Sequence, residues 1–251
     1  MTTRFSSESF EGPQTRTDSG KIGYDGFIPD LSPSAGYDVL TTHVLDDAAR
    51  CGISTIDSDE VFIPENYEAN YAYPLLVWLT SPAQPKMRLS MLMQMVSERN
   101  YFGVSVPVAD SDQIETQLFE TFGRLRRRFH LNTERVYLIG FGESGSQALE
   151  TGLSQPGWFG GVAALSAGWP ERPHLLARFR ELRGKRVLLG IDDRDGVSIV
   201  SDVLYAQQLL RSAGMHVTAL ASGAGPERYR SLLRELDRWV MQGIEQPELV
   251  C

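Results

Sequence analysis

The chain is poor in the residues that most often carry reactive or metal chemistry. It has two cysteines, Cys51 and Cys251, in 251 residues. Two isolated thiols make neither a disulfide framework nor a paired CxxC metal site. They suit a reducing, cytoplasmic setting. Its four histidines (His43, His130, His174 and His216) are dispersed and form no HExxH pair. Metal catalysis therefore has no support, and no metal or cofactor is expected. "DDRD" at 192–195 reads as a solvated acidic loop. No apolar run is long enough to span a bilayer, and "MTTRFSSESFEGPQ" lacks the apolar core of a secretory signal. Positive charge is short as well: 24 Lys and Arg against 32 Asp and Glu, a net −8. Nucleic acids and anionic membranes are gripped mainly through Lys and Arg, so neither is an expected partner.

What is present suits one globular α/β domain. Hydrophobic residues make up 42% and charged residues 22%. Residues 1–36 are rich in Ser, Thr, Gly, Pro and Asp, without helical or strand periodicity. They are expected to form an extended or mobile arm. Phe10, Tyr24, Phe27 and Ile28 are its candidate anchors on a protein partner or a second subunit. The domain proper covers 37–251. "DVLTTHVL" and "DEVFIP" read as two early antiparallel strands, and "YPLLVWLT" as a strand buried on both faces. "RLSMLMQMVSERN" reads as a helix and "YFGVSVPV" as the next strand. Ile114, Leu118, Phe119, Phe122, Leu125 and Phe129 recur at helical spacing, with acids early and arginines late along the dipole. "GGVAALSAG", "RVLLGI" and "HVTALA" are further strands, separated by helices. Gly214 stops the penultimate helix, and Tyr229 to Val240 forms a closing amphipathic one. This alternation predicts a mainly parallel central sheet with helices on both faces.

"RVYLIGFGESGSQAL" (135–149) is a strand, a glycine turn and a helix start. Two chemistries use such a turn. Gly140, Gly142 and Gly145 spell G-x-G-x-x-G, a dinucleotide fingerprint whose helix N-terminus would hold a pyrophosphate. That reading, a dinucleotide-binding oxidoreductase, also needs an acid about 20 residues on. Thr151 to Pro170 contains none. The alternative is a nucleophile elbow, which stands a serine on a strained turn above the sheet.

"VFIPENYEANYAYPLLVWL", "FHLNTERVYLIGFGESGSQALETGLSQPGWFGGVAALSAG" and "KRVLLGIDDRDGVSIVSDVLYAQQLLRSAGMHVTAL" together resemble the α/β-hydrolase family, in its esterase and polyhydroxybutyrate-depolymerase-like branch. The resemblance runs from about Val61 to Met241 and implies a single-domain α/β-hydrolase fold. It also implies a Ser–His–acid site, which this chain matches unevenly. Two registers are open at the elbow. In one, the nucleophile position is Gly142, and Pro156 and Phe159 follow at the relatives' spacing. In the other, Ser144 is the nucleophile, as in the "GESAG" elbow of carboxylesterases. The acid position matches Asp195. The histidine position falls on Pro226 and Glu227, which leaves His216 and His174 as remote candidates for a base. The oxyanion and pocket positions fall on Thr80, Ser81 and Glu143.

A serine without a base is a poor nucleophile. Loss of the nucleophile or the histidine costs on the order of 10⁶ in turnover in a serine hydrolase. The expected function is therefore a catalytically inactive α/β-hydrolase-like protein, serving as a binding or assembly module for a small acyl-type ligand or a protein partner. The alternative is an active carboxylic-ester hydrolase using Ser144 with Asp195.

Overall fold

The computed structural model describes residues 52–56, 59–81, 88–108, 113–170, 176–222 and 228–245. The backbone divides into two units, Met1–Asp38 and Val39–Cys251, and every described residue belongs to the second. The expected arm, and the expected strand at 38–45, lie outside the described residues.

Eight strands form one sheet: β1 (Gly52–Ile56), β2 (Asp59–Ile63), β3 (Tyr73–Thr80), β4 (Phe102–Pro107), β5 (Leu131–Phe141), β6 (Gly161–Leu165), β7 (Arg186–Ile191) and β8 (His216–Ala221). Their order across the sheet is β1-β2-β4-β3-β5-β6-β7-β8. β1–β2 and β2–β4 pair antiparallel, and the pairs from β4 through β8 are parallel. β1, "GISTI", was not among the strands expected from the sequence. β3, β7 and β8 have the ends that the sequence predicted. β5 is longer, carrying Gly140 and Phe141 to the brink of the turn.

Among the described residues six helices flank the sheet: α1 (Leu89–Val96), α2 (Ile114–Arg128), α3 (Gly142–Ser154), α4 (Phe179–Leu182), α5 (Val197–Ser212) and α6 (Arg228–Glu245). The reason for two layers is written in β3, which is buried from Tyr73 to Leu79. Successive strand side chains point to opposite faces. Leu75, Val77 and Leu79 enter one core, with Leu118 and Leu125 of α2, Ala148 and Leu149 of α3, and Val203 and Leu210 of α5. Leu76 and Trp78 enter the other, with Leu89 and Met93 of α1 and Leu232, Leu233, Leu236 and Trp239 of α6. Phe119 departs from its expected place in the core and is 62% exposed. It stands one residue past Leu118, a rotation of about 100° around the helix, which swings it off the inner stripe. Tyr229, expected on the inner face of α6, is 36% exposed. No helix among the described residues is long and apolar enough to cross a membrane.

Polar side chains pin the layers at defined points. Arg124 of α2 donates from Nε and Nη2 to Asp59 Oδ2 of β2, at 2.9 and 2.7 Å. Arg186, at the start of β7, donates from Nη2 to the Trp239 carbonyl at 2.5 Å and lies 4.7 Å from the Trp239 ring centroid. Burial lowers its pKa. Tyr101, fully buried just before β4, donates to Asp237 Oδ1 of α6 at 2.7 Å. Burial first, then the Asp237 hydrogen bond, pushes the Tyr101 phenol far above its usual pKa.

A hydrogen bond to a charged group contributes about 1.5–3 kcal/mol. Tyr101→Phe should therefore lower stability by about 2 kcal/mol, read by urea unfolding near neutral pH. The raised pKa also sets a sign. Stabilisation by the neutral phenol is complete below the unfolded value of about 10 and is lost as pH rises past it, because only the unfolded phenol then ionises. The parent protein should lose stability faster than Tyr101→Phe in unfolding series carried from pH 9 to pH 11. Parallel curves would refute the assignment.

Candidate functional site

The glycine turn of the sequence lies between β5 and α3. Phe141 keeps an extended backbone (φ −110°, ψ 144°), and Gly142 turns left-handed at φ +51°. An L side chain is strained there, whereas glycine is not. The helix then folds back tightly on the strand. A Cβ at Gly140 would lie 2.2 Å from the Ser144 carbonyl oxygen. A Cβ at Gly145 would lie 2.8 Å from both Ala167 Cβ and the Gly140 carbonyl oxygen. The three glycines thus serve strand–helix contact and the reversal itself.

Ser144 stands in the first turn of α3. It is 0% exposed, and its hydroxyl has no hydrogen-bond partner among the described residues. No imidazole in the described part of the chain is at this end of the sheet. His216 opens β8 beside Arg186, where β7 begins. The turn follows the opposite ends of the strands, about 17 Å away along a six-residue strand. His130 precedes β5, and its carbonyl accepts from Tyr73 N–H at the start of β3. His174, Pro226 and Glu227 lie outside the described residues.

Asp195 is in the loop between β7 and α5, at the same end as the turn. Its Oδ2 accepts the Asp192 N–H at 2.7 Å, and its own N–H donates to the Asp192 carbonyl at 3.0 Å. The carboxylate closes its own loop. Asp192, expected on the loop surface, is instead buried at 6% exposure, and its Oδ1 accepts the Arg194 N–H at 3.0 Å.

The ends of β3 and β5 bring the expected oxyanion residues together. Ser81 Oγ donates to Glu143 Oε2 at 3.4 Å, from one side of the mouth to the other. Thr80 Oγ1 points away, toward the Val106 carbonyl at 3.5 Å. Phe141 stacks on Trp78 (ring centroids 6.2 Å apart, planes 9°) and meets Tyr229 edge-on at 6.0 Å.

Three further residues shape this end, and the sequence held no signal for them. Ser146 Oγ donates to the Gly168 carbonyl at 2.8 Å, tying α3 to the loop after β6. Trp169 N–H donates to Asp202 Oδ2 of α5 at 3.2 Å. Ser166, where that loop begins, holds a left-handed φ of +50°. Serine is not a default residue for such a turn, so only the folded backbone reveals it. Among the described residues no three His, Cys, Asp or Glu side chains converge as a metal site would need.

Gly142 and Ser144 should respond oppositely to alanine. Gly142→Ala places a Cβ on a left-handed residue and should cost about 1–2 kcal/mol. Ser144→Ala removes a buried hydroxyl that has no partner, and such groups cost about 1–3 kcal/mol. It should leave stability unchanged or raise it. Chemical denaturation of both variants checks this, and a marked loss with Ser144→Ala would mean that the hydroxyl is bonded.

No family model matches the chain, and no curated protein matches it. Solved structures do match. A fungal esterase from Rhizomucor miehei superposes at a TM-score of 0.59 with 11% identity, covering 79% of this chain and 84% of the esterase. The fluorophosphonate-binding serine hydrolase FphF of Staphylococcus aureus gives 0.55 and 13%, over 78% and 97% of the two chains. A thermostable esterase gives 0.55 and 13%, over 77% of this chain. The match spans 62% of that esterase, less than two thirds of its length. At such identities the likeness concerns architecture: the eight-stranded, mostly parallel sheet with helices on both faces is the α/β-hydrolase fold.

Proposed function

We propose that this protein is a catalytically inert α/β-hydrolase-like module of the esterase and polyhydroxybutyrate-depolymerase-like branch, which binds a ligand or a partner rather than turning over an ester. The observation that carries this reading is the left-handed turn at Gly142. That is the backbone conformation and place at which an elbow holds its nucleophile above the sheet. Glycine has no oxygen to offer there. Ser144, two residues on, is packed inside the first helical turn.

An acyl-transfer enzyme needs a hydroxyl that can meet substrate and a base that can accept its proton. Neither need is met among the described residues. Asp195 occupies the acid's position but spends a carboxylate oxygen on its own loop. An acid alone supplies no catalysis, since its part is to orient an imidazole. The histidine position falls on Pro226 and Glu227. Across the mouth, the Glu143 carboxylate hydrogen-bonded to Ser81 would repel a developing oxyanion rather than stabilise it. The ester-hydrolase alternative through Ser144 and Asp195 requires movements that expose Ser144 and bring in a base. The dinucleotide reading is weakened because no Asp or Glu lies between Thr151 and Pro170 to bind a ribose hydroxyl. In this proposal the mouth retains a small acyl-type ligand, and the N-terminal arm engages a protein partner.

Purified protein should hydrolyse short-chain nitrophenyl esters no faster than background, and a fluorophosphonate probe should leave it unlabelled. Ester turnover that disappears in Ser144→Ala, or probe attached to Ser144 in folded protein, would overturn the proposal and restore the hydrolase reading.

A further inference from the structure

One edge of the sheet is open. β8 ends the strand order and pairs only with β7 among the described residues. His216 N–H donates to the Lys185 carbonyl and Ser222 N–H to the Ile191 carbonyl, both on the β7 side. Backbone groups alternate in direction along a strand, so the N–H and C=O of Val217, Ala219 and Ala221 point outward. Arg211 of α5 agrees with this direction, since its Nη2 donates to the Val217 carbonyl at 3.1 Å. Ala219 and Ala221 are exposed, and their outward groups have no partner among the described residues. Edge strands are commonly blunted by charge, proline or a bulge. "HVTALA" has no Asp, Glu, Lys, Arg or Pro, and its register with β7 runs unbroken from 216 to 221.

The helix above this edge presents an apolar stripe to it. Val197, Val200, Leu204, Gln207 and Arg211 follow one another at spacings of three and four along α5, so they share one side of it. Arg211 lies on the outer edge of β8, and the stripe therefore faces that edge. The buried side, with Val203, Ala206 and Leu210, is turned to the sheet, and Asp202 reaches the Trp169 N–H on the far side. Val197 is 84% exposed and Leu204 58%. The chain has a net charge of −8, yet neither the stripe nor β8 carries a carboxylate. Two copies of the chain can meet along this flank without bringing acids together.

We propose that a second copy of this chain docks here, with the two β8 strands antiparallel across a two-fold axis at Leu220. The sequence favours a copy over an unrelated strand because it is nearly self-complementary: Thr218, Ala219, Leu220, Ala221 and Ser222 read almost the same in both directions. About that axis Ala219 faces Ala221 of the second copy, and the pair exchanges both outward N–H···O bonds, twice over by symmetry. Thr218 faces Ser222 of the second copy, a favourable cross-strand pair. Leu220 meets its own equivalent at the closer spacing of an antiparallel ladder. This register leaves the Arg211 bond to Val217 intact, whereas an axis at Ala219 would require the Val217 carbonyl for the second copy. An axis perpendicular to the sheet keeps both α5 helices on one face, so their apolar stripes confront each other beside the strands. The strands then set the register, and the stripes supply apolar burial. This inference is independent of whether the elbow is inert.

The test is sedimentation velocity of the full chain over a concentration series, with amide hydrogen exchange on the same samples. A monomer–dimer equilibrium is expected, with the Ala219 and Ala221 amides protected in the dimer and exchanging freely in the dilute monomer. Ala219→Pro removes an outward N–H from each copy while sparing the β7 ladder, and should weaken dimerisation at least about tenfold. Leu204→Glu should also weaken it, by placing acids on facing stripes, and it decides the outcome if the proline variant fails to fold. Near-UV circular dichroism verifies the folding of each variant. A chain that stays monomeric when concentrated would overturn the proposal, even if an unrelated strand peptide bound to β8. So would a dimer indifferent to Leu204→Glu, or one whose Ala219 and Ala221 amides exchange freely. A dimer dispersed only by deleting residues 1–36 would overturn it too, because the seam would then lie elsewhere.

Discussion

At the middle of the sheet one helix lies against the strand before it more closely than a side chain would allow. Between Gly140 and Gly145 the backbone doubles back so sharply that β5 and the first turn of α3 touch through main-chain atoms. The reversal needs a left-handed residue between them, and Gly142 supplies it. From this contact α3 runs back along the sheet, where Gly152 lets it press on Val162 of β6. Tight packing there sets the distance between α3 and the strands, and hence the path of the loop after β6 that Ser146 anchors. The same crossing decides the chemistry of the mouth. It buries the Ser144 hydroxyl and leaves the left-handed residue, Gly142, without a side chain.

Around that crossing the molecule spends its polar groups on fastening. Arg124, Arg186, Tyr101, Asp202 and Ser146 each join two segments that the sheet alone would leave independent. In a working hydrolase some groups at the strand ends must be kept available for substrate. Here Asp195 completes its own loop, and Ser81 and Glu143 meet across the mouth.

The architecture was legible because burial on two faces leaves a plain mark. β3, β7 and β8 end where their apolar and β-branched runs end. α2 follows its three-and-four spacing, apart from Phe119, because one residue of rotation lies within the error of any helical stripe. Strand order was not legible. Pairing β2 with β4, and β4 with β3, joins residues far apart in sequence through backbone groups that every residue shares. The site was legible in part. The turn, the acid loop and the mouth residues could be named in advance, but two serine registers stayed open, since spacing alone does not say which residue takes a positive φ.

The amino-acid sequence by itself determined that this chain builds alternating strands and helices, carries a glycine reversal in its middle, and has only four histidines. Periodicity and composition are local properties, and they survive without a fold. Tertiary structure alone decided that the left-handed residue is Gly142, that Ser144 is enclosed, and that His216 sits at the opposite end of the sheet. Each of these depends on which distant segments are pressed together, and that is set by the packing of two cores on one sheet.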